Sequence, residues 1–318
     1  MSVQLVARWV WQVAVHEVPT DCTPHDGGGV LGARRRRQQA NGQKEGMLRY
    51  HADITLTGDF RLHKSFHSRY LSDDRDIIVY LPPGYGLSPN RRFPVIYLHD
   101  GQNLFDADTA FLGQEWRADE TAEYLIHSGQ IEPIIMVGIY NTGPNRIDEY
   151  TPTRGAYGNV GGKARLYAAM IIDELKPFID EEYRTLDEAE HTGMGGSSLG
   201  GLVTLYIGLR HPEIFGKLAV ISPSVWWRYG TILRMIRDNP APEPRPKIWL
   251  DIGTREGNHP GRIVRDARLL RDLLCQKGWQ PGVDLAYVED EGAQHSEHAW
   301  SARWPLVLRF LFGTSGKL

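Results

Sequence analysis

The chain has 318 residues, 41% hydrophobic and 24% charged, with a net charge of −3. That balance supports a globular fold with a sizeable core, argues against a nucleic-acid partner, and leaves no apolar run near the roughly 20 residues a membrane span needs. The two cysteines, Cys22 and Cys275, stand in unrelated contexts, which speaks against a disulfide framework and for a reducing, cytoplasmic setting, with secretion left open.

Residues 1–46 carry no core-forming pattern. A short apolar patch after Arg8 is broken by Trp, Gln and His and has no small-residue cut site, so it is a poor secretory signal. The Gly- and Gln-rich stretch that follows, with the basic run Arg34 to Arg37, reads as a solvated leader. Patterned sequence resumes at Met47. Nothing from there on reads as a linker, so 47–318 is taken as one domain.

In that domain, short apolar runs alternate with longer helical patterns, the signature of an α/β fold. Strands are expected at 53–58, 76–82, 94–99, 133–140, 217–222, 247–253 and 285–289. The middle ones are almost continuously apolar, as buried parallel strands are; the first ones alternate and suit an antiparallel N-terminal edge. Helices are expected at 116–128, 164–183, 199–211, 262–278 and 299–313, where apolar residues recur at helical spacing.

The stretch GMGGSSLGGL (193–202) sits between a short segment at 191–194 and the helix from Leu199. Gly196 to Gly200 satisfies G-x-S-x-G with Ser198 at its centre. The pattern makes a sharp strand-to-helix turn that exposes the serine hydroxyl and points the N–H of Leu199 at a developing oxyanion. The bland alternative is a glycine-rich helix cap. A phosphate loop is a weak rival, because no Lys follows the glycines.

A serine nucleophile needs a base, and the base needs an acid to orient it. His295 lies in the loop after the last strand, in EGAQHSEHAW. With His298 it could suggest a metal pair, but no third ligand is evident and no metal is expected. The acid should follow KIWLDIG. Asp251 lies within that strand and Glu256 in the loop beyond it; the loop position reaches the histidine loop and is preferred. A second oxyanion donor should come from HDGQNLFD, as the N–H of Gly101 or Gln102.

HDGQNLFD, GGSSLGG, SPSVWW and EGAQHSEHAW together resemble the putative-esterase family of α/β-hydrolases, which is similar to enterochelin esterases, feruloyl and acetyl-xylan esterases and S-formylglutathione hydrolases. The resemblance covers about residues 60–313. It implies a three-layer αβα sandwich (the α/β-hydrolase fold), no cofactor, and a triad falling on Ser198, His295 and Glu256. Relatives often carry HNEAAW where this chain has HSEHAW, and residues 1–46 match nothing in the family.

Trp226 and Trp227 of SPSVWW, with Trp116, Arg146 and Asn141, are candidates to line the substrate site. At least one tryptophan could equally be core, and Arg146 could pair with Asp148 or Glu149. The expected activity is hydrolysis of a small or sugar-linked carboxylic ester. Alternatives are a siderophore trilactone esterase, an acyltransferase on the same site, or a binding protein that has lost the chemistry. The implied partner is a small-molecule ester; self-association is left open.

Overall fold

The computed structural model describes residues 56–155 and 160–314. The chain divides into two units, Met1–Tyr50 and His51–Leu318. The leader expected at 1–46 lies outside the described residues, as does most of the strand expected at 53–58; the described residues 56–58 are not in a strand.

The first strand is β1 (Asp59–Phe66), followed by β2 (Arg75–Leu81) and β3 (Val95–His99). Helix α1 (Ala118–His127) leads to β4 (Ile135–Ile139), α2 (Arg146–Tyr150) and α3 (Ala164–Met170). A π-turn at Ile171–Leu175 joins α3 to α4 (Lys176–Glu182). Then come β5 (Thr192–Ser197), α5 (Leu199–Arg210), β6 (Lys217–Ile221) and α6 (Thr231–Asp238). The chain closes with β7 (Lys247–Gly253), α7 (Pro260–Gln276), β8 (Leu285–Asp290) and α8 (Glu297–Phe312).

The strands form one sheet in the order β1-β2-β4-β3-β5-β6-β7-β8. Its β1–β2 and β2–β4 pairs are antiparallel and the rest are parallel, so the antiparallel N-terminal edge is present, with β1 at 59–66 where the edge strand was expected at 53–58. Side chains of the central strands alternate between two cores. Val95 and Tyr97 of β3 pack with residues of α3 to α7 on one face. Ile96 and Leu98 pack with residues of α1 and α8 on the other. The result is the expected three-layer sandwich. Each buried Leu, Ile or Val side chain in those cores contributes roughly 1.5–3 kcal/mol.

α5 is apolar around most of its circumference and is buried from Leu199 to Gly208, as such a helix must be. β5 extends further than the segment expected at 191–194. It runs through Gly195 and Gly196 because its neighbours leave no room for side chains: a Cβ at Gly195 would lie 2.8 Å from the Ala219 Cβ. α6 was not expected; its pattern spans only two turns between a loop and Pro240.

The C-terminal ends of the parallel strands deliver His99, Ser197, Ser222, Gly253 and Asp290 to one edge of the sheet. The candidate site is assembled there, where ligands bind in open α/β sheets.

Candidate active site

Ser198 joins β5 to α5 with φ 59° and ψ −119°, a conformation that costs an L-residue of order 1–3 kcal/mol. Three backbone hydrogen bonds hold it there. Its N–H donates to Ile221 O at 3.0 Å, and its carbonyl accepts from Leu202 N at 3.1 Å and Ser224 N at 3.0 Å. The approach of α5 to β6 depends on glycine: a Cβ at Gly201 would sit 2.8 Å from the Ile221 carbonyl oxygen. The half-buried Ser198 Oγ lies 3.3 Å from Ser224 Oγ. Among the described residues no hydrogen bond links it to His295; such contacts commonly tighten only when substrate binds. Ser197, the residue before Ser198, is buried. The N–H of Leu199 begins α5, where no intrahelical acceptor exists.

Glu256 and His295 meet. His295 Nδ1 lies 2.7 Å from Glu256 Oε2, and the other carboxylate oxygen, Oε1, accepts from Ser222 Oγ at 2.5 Å and Gly253 N at 2.8 Å. Burial pushes the Glu256 carboxyl up, but its hydrogen bonds from His295, Ser222 and Gly253, with the His295 charge, outweigh burial and hold it below the usual range. Asp251 has other partners: it accepts from Trp249 Nε1 at 2.7 Å and Ser222 N at 3.1 Å, and ion-pairs with Arg303 at 3.2 Å. The ring of His295 stands edge-on to Trp300, with centroids 4.9 Å apart. The segment Ser222–Ser224 therefore touches both halves of the site, Ser224 holding Ser198 and Ser222 holding Glu256.

On the other side, β3 ends in His99, and Asp100 turns the chain with φ 58° and ψ 46° into a short 3-10 turn at Gly101–Asn103. A Cβ at Gly101 would lie 2.5 Å from the Gly138 carbonyl carbon, so only glycine lets this loop seat on β4. Arg146 grips Asp100 with both prongs, Nε and Nη2 each 2.7 Å from a carboxylate oxygen, and Asn141 Nδ2 adds a bond at 2.7 Å. Burial works against ionisation of Asp100, yet Arg146 and Asn141 hold its carboxyl below the usual range. Gln102 Oε1 accepts from Asn141 N at 3.2 Å. Arg146 and Asn141 thus point these donors at Asp100. Asp148 pairs with Lys163 and Glu149 with Arg75, so neither is the partner of Arg146. Behind the loop, burial pushes the imidazole of His99 down to about 3, so it stays neutral against Tyr167 OH.

Trp116 is only 2% exposed and packs between Trp300 and Trp304; it belongs to the core and does not line the site. Trp227 is nearly buried, its Nε1 donating to Thr153 O at 3.0 Å. Trp226 is 49% exposed. Trp226, Trp227, Tyr229, Ile147, His259 and Arg262 line a cleft of about 530 Å³. Its walls come from the loops after β4, β6 and β7, on the same edge of the sheet as Ser198.

Residues 68–309 match the family described as "Putative esterase". The chain belongs to that family. The esterase is 32% identical over 227 residues to an endo-1,4-beta-xylanase/feruloyl esterase of Xylanibacter ruminicola, covering 70% of this chain and 27% of that one. It is 28% identical over 229 residues to the ferri-bacillibactin esterase BesA of Bacillus subtilis, covering 65% and 75%. Its fold resembles the crystal structure of BES protein from Bacillus cereus, with a TM-score of 0.65 at 23% identity over 86% of this chain and 99% of that one. The protein is an enzyme that hydrolyses esters. No helix among the described residues is long and apolar enough to cross a membrane.

The partners of three polar groups of the site escaped the sequence reading. Asp100, Ser222 and Arg303 are joined to their partners across 46, 34 and 81 residues. The one local signal is that Asp100 and Ser222 directly follow apolar strands of a parallel sheet, where site residues collect.

Proposed function

We propose that Ser198, His295 and Glu256 form the triad of this esterase. His295 Nε2 takes the hydroxyl proton as Ser198 Oγ attacks the ester carbonyl. Glu256 accepts from His295 Nδ1–H, which leaves the Nε2 lone pair free and stabilises the imidazolium. The oxyanion is held by the N–H of Leu199 and that of Gly101 or Gln102, each worth about 2.7–4 kcal/mol in comparable sites. The C–O bond breaks, and the leaving alcohol takes the proton from His295. Water, deprotonated by the same imidazole, then cleaves the acyl-serine and restores the hydroxyl.

The observation that carries this reading is the strained Ser198 turn tied to the same 222–224 segment as the Glu256–His295 pair. p-Nitrophenyl acetate tests it. A burst of one p-nitrophenolate per chain is expected, lost in Ser198→Ala. Undiminished turnover in that variant removes the nucleophile assignment.

The substrate is read as a small or sugar-linked ester, with Trp226 and Tyr229 as exposed flat surfaces at the cleft. One observation favours a siderophore trilactone as the second reading: Arg228 and Arg262 bring positive charge to the cleft, against the one acid Asp266, which pairs with Arg262 at 3.9 Å. A ferric catecholate would use that charge, and a relative is named as a ferri-bacillibactin esterase. A panel of acetylated sugars, feruloyl esters and catecholate trilactones separates the two. The catalytic domain is taken as 47–318, in a reducing compartment that suits Cys275, which is free among the described residues.

A further inference from the structure

Ser222 follows β6 with φ 41°, in the left-handed region that favours glycine. Its hydroxyl explains why a serine occupies that position. Trp300 Nε1 reaches Ser222 Oγ at 3.1 Å and Arg303 Nη2 reaches it at 2.9 Å. Both are obligate donors and neither accepts. With two donors aimed at its oxygen, the hydroxyl proton has one acceptor in reach, Glu256 Oε1 at 2.5 Å.

Gly253 N also donates to Oε1. That oxygen is therefore occupied by two donors, and Oε2 is left to His295 Nδ1. The carboxylate cannot rotate without breaking both bonds.

We propose that Ser222, with its proton directed by Trp300 and Arg303, is the positioning residue that locks Glu256 so that His295 carries its proton on Nδ1 and keeps Nε2 free for Ser198. This rests on the triad reading above and deepens it. The charged groups around the pair are Arg303 from α8, whose Nη2 is 4.0 Å from Glu256 Oε1, and Asp251 and Asp290 at the ends of β7 and β8, both ion-paired to Arg303. Glu297, at the start of α8, also feels the His295 charge. None of these donates a proton to Oε1 in place of the hydroxyl: Arg303 is too far from it for a hydrogen bond, and the others are acids.

Removing the hydroxyl leaves more negative charge on Oε2, which favours the imidazolium. It also leaves the carboxyl with one donor fewer, which makes it easier to protonate. Both effects move the acid limb of kcat/KM to higher pH.

The test is Ser222→Ala and Ser222→Gly, assayed with p-nitrophenyl acetate beside Glu256→Gln. The glycine variant relaxes the backbone at φ 41°, so it folds even where alanine strains. Both Ser222 variants are expected to lower kcat about tenfold, with KM within about twofold, as for lost outer positioning contacts. Their acid limbs are expected to rise by about half a pH unit. Wild-type kcat and an unmoved acid limb in both, with Glu256→Gln impaired at least a hundredfold, overturn the role of Ser222 and leave the triad reading standing. A fully active Glu256→Gln overturns the triad reading, and this inference with it.

Discussion

Two arginines brace the candidate site, one behind the Glu256–His295 pair and one behind the Asp100 loop, and they are built differently. Arg303, on α8, is 3% exposed and contacts groups at the ends of three neighbouring strands: Ser222 after β6, Asp251 in β7 and Asp290 at the end of β8. Its Nε faces Asp251 as an ion pair off the line of a hydrogen bond. Arg146, on the short helix α2, is 26% exposed and grips one acid, Asp100. The first belongs to a fixed frame beneath the acid–base pair. The second clamps a strained loop from an element that also walls the cleft, since Ile147 is its neighbour. Catalytic geometry needs the frame to be immobile, whereas the side that meets substrate can tolerate movement.

The largest effect that separates the two is on stability. Arg303→Met leaves Asp251 buried without its charge partner and should cost about 3–5 kcal/mol, read from urea unfolding. Burial raises the Asp251 carboxyl, only partly offset by Arg303, Trp249 and Ser222. A group raised in the folded state loses stability as pH rises through its folded value, so the deficit of the variant should widen from acid toward alkaline pH. A deficit below about 1 kcal/mol would dissolve the contrast between frame and clamp.

Arg146→Met should cost less, about 2 kcal/mol at neutral pH, because water reaches this pair. Asp100 is held below the usual carboxyl range in the wild type. Its contribution is therefore present above the unfolded-state value and is lost as pH falls through the folded one. The gap between variant and wild type should close below about pH 4, near the unfolded carboxyl pKa. Its kcat should fall about tenfold as the loop carrying Gly101 and Gln102 loosens. Unchanged kcat would detach the clamp from the oxyanion donors.

Trp226→Ala is expected to have the smallest effect. It should raise KM a few-fold for a bulky ester, leave kcat for p-nitrophenyl acetate unchanged, and move stability by less than about 0.5 kcal/mol, as for an exposed side chain. A large stability loss would mean that this tryptophan is structural, as Trp116 is.

The frame and the clamp also differ in how far they could be read from the chain. The central parallel strands and the longer helices were legible because buried strands and amphipathic helices leave periodic patterns, whereas β1, α2 and α6 were not. The proposed triad was drawn from glycine spacing for Ser198 and from places after the last two strands for Glu256 and His295, and the contact between the last two is what the structure adds. Arg146 was noticed but given the wrong partner. Ion pairing depends on which loops the sheet brings together, and Asp100 lies 46 residues away. Trp116 was misplaced because an aromatic side chain looks alike in sequence whether it faces a cleft or the α1–α8 core. Ser222 carried only the weak signal of following an apolar strand, since its strained φ and its two donors exist only in the folded sheet.

The most direct test of the account is a fluorophosphonate probe with the adduct mapped by peptide mass spectrometry. Ser198 Oγ has two hydroxyl neighbours for comparison, Ser197 before it in the chain and Ser224 at 3.3 Å. The account requires a single adduct on Ser198, absent in Ser198→Ala and formed at least a hundredfold more slowly in His295→Ala. An adduct on Ser197 or Ser224, or labelling indifferent to the loss of His295, would contradict it.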